Sequence, residues 1–169
     1  MKEYRLTTLA DAEAFLDLLL KSYQPIRDLG IHFAAATADL DLVTRHIQQN
    51  LCYVLEDDGR LIATISLRLP WGPNPGPEVL PHIGWFAVDP DFSGQGIGND
   101  LLDWLEQEIL IKELKAPAVT LGTADKHPWL AMMYQRKGYQ KFAERDLGKG
   151  HLTLFFKKEF QLVEPKEEV

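Results

Sequence analysis

The sequence predicts a mixed α+β domain around one central sheet, and three observations predict it. Strand-like and helix-like patterns follow one another as β-α-α-β-β-β-α-β-α-β-β, with no internal repeat. The chain has 169 residues, 46% of them hydrophobic, which is enough for one packed core and short for two. Its apolar runs stay far below the roughly 20 residues that a membrane span needs. We therefore expect one domain over residues 1–160, followed by an acidic tail over 161–169.

The first strand is read in KEYRLTT and the first helix in LADAEAFLDLLLKSY, where Leu9, Ala12, Phe15, Leu16 and Leu19 recur at helical spacing as a core-facing stripe. QPIRDLGIHFAAAT, bracketed by Pro25 and Gly30, is too irregular to assign. DLDLVTRHIQQN resumes helical spacing, with Asp39 as its N-cap. LCYVLEDDGRLIATISLRL reads as a hairpin turning at Asp57-Asp58-Gly59, because glycine accepts the positive φ that a tight turn demands. PWGPNPGPEVLP, with five prolines and two glycines, must be a surface loop. PHIGWFAVDP is a buried strand, and GIGNDLLDWLEQEILIKEL a helix with Ile97, Leu101, Leu102, Leu105, Ile109 and Leu110 inward. APAVTLGT is a further strand, and HPWLAMMYQRKGY a helix with Pro128 in its first turn and Gly138 at its stop. YQKFAERDLGKGHLTLFFKKEF closes the domain as two strands turned at Gly148-Lys149-Gly150.

Composition narrows the function classes. A formal net charge of −7 argues against a nucleic-acid binder, which would carry a basic face to neutralise phosphates. It leaves room for a small anionic ligand, since backbone N–H groups bind phosphate without net positive charge. The N-terminal MKEYRLTTLADAEAF lacks the apolar core of a signal peptide, so a cytoplasmic protein with no membrane partner is expected. The single cysteine, Cys52, permits no internal disulfide and reads as strand packing. His32, His46 and His151 show no partner pattern, and no His/Cys/Asp cluster has metal-ligand spacing, so no metal is expected.

The chemistry concentrates in VDPDFSGQGIGNDLL, residues 88–102, where Gly94, Gly96 and Gly98 lie between a strand and a helix. Several amides are then presented at a helix N-terminus, an anion site by construction. A dinucleotide G-x-G-x-x-G fails, because the third glycine would fall at Asn99, and a P-loop fails for want of Gly-Lys-Ser/Thr. The remaining pattern, V-x-P-x-x-x-G-x-G-I-G-x-x-L-L, resembles the acetyl-coenzyme A signature of the GNAT superfamily of N-acetyltransferases, in which an Arg/Gln-x-x-Gly-x-Gly/Ala loop binds the pyrophosphate. HPWLAMMYQRKGYQKF resembles the family's Asn-x-x-Ala-x-x-x-Tyr-x-x-x-Gly-Phe/Tyr segment, with Tyr134 and Gly138-Tyr139 at its spacings. The order of elements agrees over nearly the whole chain.

The resemblance implies a mixed, mostly antiparallel sheet of about six to seven strands flanked by about four helices. It also implies acetyl transfer from acetyl-CoA, as cosubstrate, to the primary amine of a small molecule or peptide. A non-catalytic acyl-CoA sensor or interaction module is the alternative. By the same resemblance Ser93, Gly94, Gln95, Gly96, Ile97, Gly98 and Asn99 form the pyrophosphate loop, and Phe86, Ala87 and Val88 pair with the pantetheine arm. Tyr134 stands near the thioester sulfur as general acid, and a strand amide near Val88 polarises the carbonyl. Ser93 replaces the usual Arg or Gln, so that side-chain contact is expected to be weaker or to be supplied elsewhere, for example by Lys126 or Arg136. His127 replaces the usual Asn, and Asp100 is expected to point away from the phosphate. His82 and Glu78 are the two candidates for the base. Tyr23, Phe33, Trp71 and Trp129 are read as candidate walls of an acceptor pocket, with Glu78 or Asp28 attracting a cation. The sequence leaves a homodimer through the tail strands open.

Overall fold

The computed structural model describes residues 1–31, 34–127 and 130–161. His32, Phe33, Pro128, Trp129 and the acidic end over 162–169 lie outside them. The described chain forms one seven-stranded sheet: β1 (Lys2–Leu6), β2 (Leu51–Asp57), β3 (Arg60–Arg68), β4 (His82–Val88), β5 (Ala118–Ala124), β6 (Gln140–Asp146) and β7 (Leu152–Glu159). Their spatial order is β1-β2-β3-β4-β5-β7-β6, antiparallel throughout except for the parallel β4–β5 contact. The helices are α1 (Ala12–Ser22), α2 (Gln24–Asp28), α3 (Leu40–Gln49), α4 (Ile97–Trp104) and α5 (Leu130–Arg136).

Most local readings hold for the physical reasons that suggested them. The β2–β3 turn places Asp58 and Gly59 both at positive φ, 49° and 84°, the conformation a two-residue hairpin needs. Asp39 caps α3 by accepting the amide of Leu42 at 2.8 Å. All six inward positions named for the helix after the glycines are buried. Its second half departs from the simple helical reading, because α4 runs on as a π-helix over Leu105–Glu113. The unassigned segment supplies α2 and a short 3₁₀ turn at Ala34–Thr37. On the first stripe, Leu9 is exposed and Leu18 takes its place in the core, because the chain enters α1 through a 3₁₀ turn that rotates Leu9 outward.

Two apolar clusters sandwich the sheet. Leu101, Leu102, Leu105 and Tyr139 pack one face together with Ile65 and Leu67, whereas Phe15, Leu19, Val43 and Ile31 pack the other with Cys52 and Val54. One irregularity organises the centre. Between Thr64 and Ser66 of β3, a bulge sets Trp85 and Phe86 of β4 against the single residue Ile65. Trp85 takes φ 49°, a left-handed conformation unusual for a bulky side chain. The ring of His46 stacks on it at 3.7 Å between centroids and 4° between planes, and His46 Nε2 is held by Ser66 Oγ at 2.8 Å.

His46 and His82 are both buried, and burial holds them neutral, with pKa values lowered to about 4 and about 3. The unfolded chain binds their protons near pH 6.5, so the stability they permit is complete above that pH and falls as acid is added. We expect a loss of about 2 kcal/mol per histidine between pH 7 and pH 5, read from urea unfolding midpoints. His46→Gln, which cannot titrate, should flatten that fall; an identical slope would refute the assignment.

Candidate functional site

The glycine loop is built from the end of β4 outward. Asp89 is buried, accepts the amide of Asp91 at 2.9 Å, and takes Lys21 of α1 and Arg60 of β3 at 3.0 and 2.8 Å. Asp91 binds the same two cations at 2.7 and 3.0 Å. Burial raises the Asp89 pKa, yet the Asp91 amide and the two cations outweigh it and hold the carboxylate below its ordinary range. This four-residue cluster pins the turn from which the loop leaves.

Beyond it the glycines divide their work. Gly94 and Gly96 take φ 77° and 74°, with open space where a Cβ would stand. Gly98 lies inside α4, and a Cβ there would meet the Phe86 ring at 3.2 Å and the Val88 side chain at 3.3 Å. Its missing side chain therefore brings α4 onto β4, whereas the sequence reading gave it a place against phosphate. The N-cap of α4 is Gly96 in the left-handed region, with no side chain capping the helix. Among the described residues, the amides from Gly94 to Asn99 find no carbonyl or side-chain partner. Free amides, open space and the positive helix end together fit an anion such as a pyrophosphate. Ile97 is buried and anchors this turn, while Ser93, Gln95, Asn99 and Asp100 are exposed.

Beside the loop, β4 and β5 part. They pair only at His82–Thr120 and Ile83–Leu121, so the β5-facing edge of Gly84 to Val88, including Phe86, Ala87 and Val88, meets no strand. Two phenols converge there. Tyr23, at the end of α1, donates to the Phe86 carbonyl at 3.0 Å. Tyr134 of α5 is buried near enough for Tyr23 to feel its charge, and its hydroxyl has no hydrogen-bond partner among the described residues. Burial raises both phenol pKa values, so both hydroxyls stay protonated at neutral pH. Tyr139 supports Tyr134 edge-on at 5.7 Å, its own hydroxyl bonded to Glu106 at 3.0 Å. Gly138 at φ 93° ends α5 and lets the Tyr139 amide reach the Tyr134 carbonyl at 3.0 Å. His127 precedes α5, and its Nδ1 accepts the Leu130 amide at 3.4 Å, a role open to the Asn it replaces.

Other expected residues fall elsewhere. His82 is buried with Nδ1 on Thr120 Oγ1 at 2.7 Å, and a pKa near 3 makes it a poor acceptor for an ammonium proton. Glu78 is ion-paired with Lys157 of β7 at 2.7 Å. Lys126 Nζ donates to the Gly150 carbonyl and Arg136 is exposed, whereas Lys137, unremarked in the sequence, reaches Asn99 Oδ1 at 2.9 Å and also pairs with Asp103. Trp71 is exposed (76%), and Asp28 accepts from Gln24. Phe33 and Trp129 lie outside the described residues. No local pattern marks Lys137 or Trp85, because each acts through a partner far away in sequence, and Tyr23, read as a pocket wall, bonds the Phe86 carbonyl. Among the described residues no group of His, Cys, Asp or Glu could hold a metal, and no described helix is long and apolar enough to cross a membrane.

Comparison with known proteins agrees with this geometry. Residues 48–141 match the model of the acetyltransferase (GNAT) domain. The chain belongs to the GNAT acetyltransferase family. It is 61% identical over 158 residues to the S-(2-succino)cysteine N-acetyltransferase of Bacillus subtilis (strain 168), covering 94% of this chain and 96% of that one. It is 45% identical over 144 residues to the S-alkylcysteine N-acetyltransferase of the same organism, covering 85% and 81%. Among solved structures, a PaiA N-acetyltransferase from Thermoplasma acidophilum in complex with coenzyme A shares the fold at a TM-score of 0.73 and 16% identity, covering 95% of this chain and 99% of that one. A GNAT acetyltransferase from Elizabethkingia anophelis with acetyl-CoA bound gives 0.68 and 18%, covering 94% and 98%. This GNAT protein is thus an acyltransferase that acts on an amine.

The loop carries no cationic side chain at its head. Ser93→Arg should tighten acetyl-CoA about three- to tenfold by calorimetry at low salt, as one exposed charge-assisted bond would. Unchanged affinity would mean that position 93 does not face the phosphate.

Proposed function

We propose that this GNAT enzyme transfers the acetyl group of acetyl-CoA to the amine of an S-substituted cysteine. The observation that carries this reading is the 61% identity, over nearly the full length of both chains, to an S-(2-succino)cysteine N-acetyltransferase. The relative at 45% identity is also named for an S-substituted cysteine, with an alkyl group on sulfur.

In this reading the amides of Gly94, Gln95, Gly96, Ile97, Gly98 and Asn99 hold the pyrophosphate, and Lys137 adds positive charge beside Asn99. Ser93 heads the loop. The unpaired edge of Phe86, Ala87 and Val88 receives the pantetheine arm as an added strand would. His127 fixes the start of α5 and so the place of Tyr134. Bound there, acetyl-CoA would supply the acetyl group as a thioester. A backbone amide near Val88 would polarise its carbonyl oxygen; as the amine nitrogen bonds to that carbon and the carbon–sulfur bond breaks, the Tyr134 hydroxyl would donate a proton to the departing sulfur, and the proton lost by the nitrogen would pass to water and restore the phenol. Support for that last role comes from Tyr134 itself, a buried residue whose hydroxyl stays protonated and has no hydrogen-bond partner among the described residues. With His82 and Glu78 both engaged, the amine enters as its free base instead of being deprotonated by either. The acceptor therefore loses its proton to water before it binds.

An acceptor panel read by thiol release tests the substrate class. S-methylcysteine and S-(2-succino)cysteine should exceed spermidine, an aminoglycoside and a peptide N-terminus by at least about 100-fold in kcat/KM; preference for any of those three would overturn the proposal. Tyr134→Phe should lower kcat by about 10²–10³ with the acetyl-CoA KM within threefold. An unchanged kcat would remove Tyr134 from the chemistry.

A further inference from the structure

Outside the machinery just described, one half-buried cation has neither a counter-ion nor a hydrogen-bond partner among the described residues. Arg68 closes β3, half-buried, directly across the register from His82 of β4. Its Nε is fully buried with no hydrogen-bond partner, and its guanidinium enters no ion pair or hydrogen bond among the described residues. The other arginines with buried neighbours are treated differently: Arg5 is held by Asp11 and Glu56, and Arg27 by two carbonyls. Among the described residues no carboxylate pairs with Arg68. The groups close enough to feel its charge are His46 and His82, both buried and neutral, which cannot balance it.

Holding the Nε of a guanidinium away from water without a partner carries a cost, so a fold keeps such a group only where something else repays it. The position of Arg68 indicates what that is. Thr64, Ser66 and Arg68 alternate onto the sheet face of α1 and α3, where Ser66 binds His46 and His46 stacks on Trp85. The glycine loop and α4 lie against the opposite face, with Gly98 on Phe86 and Val88. Arg68 thus stands on the side away from the pyrophosphate cradle, about 10 Å along the strands from the bulge where β4 leaves β5. The proline-rich loop of residues 69–81 begins at Arg68 and returns over His82, where Gly76 packs on the ring with no room for a Cβ. The cation therefore sits at the end of β3 where the proline-rich loop begins, one strand from the last β4–β5 pairs, on the face opposite the pyrophosphate cradle.

We propose that the Arg68 guanidinium is the carboxylate-binding group of the acceptor site. This rests on the acceptor being an S-substituted cysteine. Such a molecule carries an α-carboxylate beside the reacting amine, and a succinyl group adds further carboxylates on the sulfur side. The flat fork of arginine binds either one through two parallel N–H···O bonds, supplying the anion that the chain itself withholds. A polyamine or aminoglycoside would be repelled by the same charge. Arg68 thus separates acidic from cationic amines at the entrance.

The test uses Arg68→Met, which keeps bulk and removes charge, and Arg68→Lys, which keeps charge and removes the fork. Acceptors are S-(2-succino)cysteine, S-methylcysteine and S-methylcysteine amide, the last lacking the α-carboxylate. For Arg68→Met the acceptor KM should rise at least 30-fold, with kcat and the acetyl-CoA KM within about threefold of wild type; Arg68→Lys should fall between. A rise shared by both acids assigns the α-carboxylate, and wild type should then discriminate against the amide by a similar factor. A rise confined to S-(2-succino)cysteine assigns a succinyl carboxylate. Without acceptor, the Tm of Arg68→Met should equal or exceed that of wild type, because a buried, unsatisfied Nε is removed. Unchanged KM for both acids would overturn the proposal, as would a Tm drop in Arg68→Met together with no preference of wild type for acid over amide. If wild type acetylates none of the three, the substrate class itself fails, a result separate from any effect at Arg68.

Discussion

Everything at the centre of this molecule depends on one backbone irregularity, the bulge that turns Trp85 to a positive φ and carries β4 away from β5. A left-handed conformation in a bulky residue costs on the order of 1–3 kcal/mol, and it persists only where its surroundings fix it. Here they do. His46 lies flat on the indole, Phe15 stacks at 6.3 Å from it, and the histidine is tied through Ser66 to Cys52 at 3.1 Å. The packing of α1 and α3 is thereby converted into a gap between two strands of the sheet. Without that gap β4 would continue its parallel ladder with β5, and no edge would be left for a ligand.

The gap is useful only because its two banks are furnished from different elements. One bank is the loop after β4, whose direction is set by Asp89 and Asp91 gripping Lys21 and Arg60. That cluster links α1, the β2–β3 hairpin and the start of the loop that leads to the amides of Gly94 to Asn99. The other bank is α5, aligned through Tyr139, whose hydroxyl is buried against a carboxylate that Lys158 also neutralises. A net charge of −7 is compatible with an anion site here because the attraction is local, carried by amide dipoles, the helix end and Lys137.

The sequence made legible what is local. The Asp58-Gly59 turn, the Asp39 cap and the inward face of α4 each follow from residues within one turn or one hairpin, and each holds. The glycine pattern and the Tyr134 spacing led to the family, since they are constraints of a backbone shape that many chains share. What stayed hidden depends on distance in sequence. That Gly98 serves packing against Phe86 is decided ten and more residues upstream, and that Trp85 is bent is decided by His46 and Ile65. The neutrality of His82 comes from the loop folded over it, and the charge near the cradle comes from Lys137 on another helix. A reading by residue type weighted Lys126, which donates to the Gly150 carbonyl, and Arg136, which is exposed.

The side chains around the splay share an electrical character that bears on how such a site handles an amine. Tyr23, Tyr134, His46 and His82 are all held uncharged by burial, and the titratable charge nearest the two histidines is the cation of Arg68. An ammonium entering this surface would lose its water, meet no carboxylate and feel a like charge, each of which disfavours it. The free amine bears none of these penalties, and its lone pair is what acyl transfer requires. Under the proposed reading, selection of the neutral form by desolvation would do the work usually given to a general base.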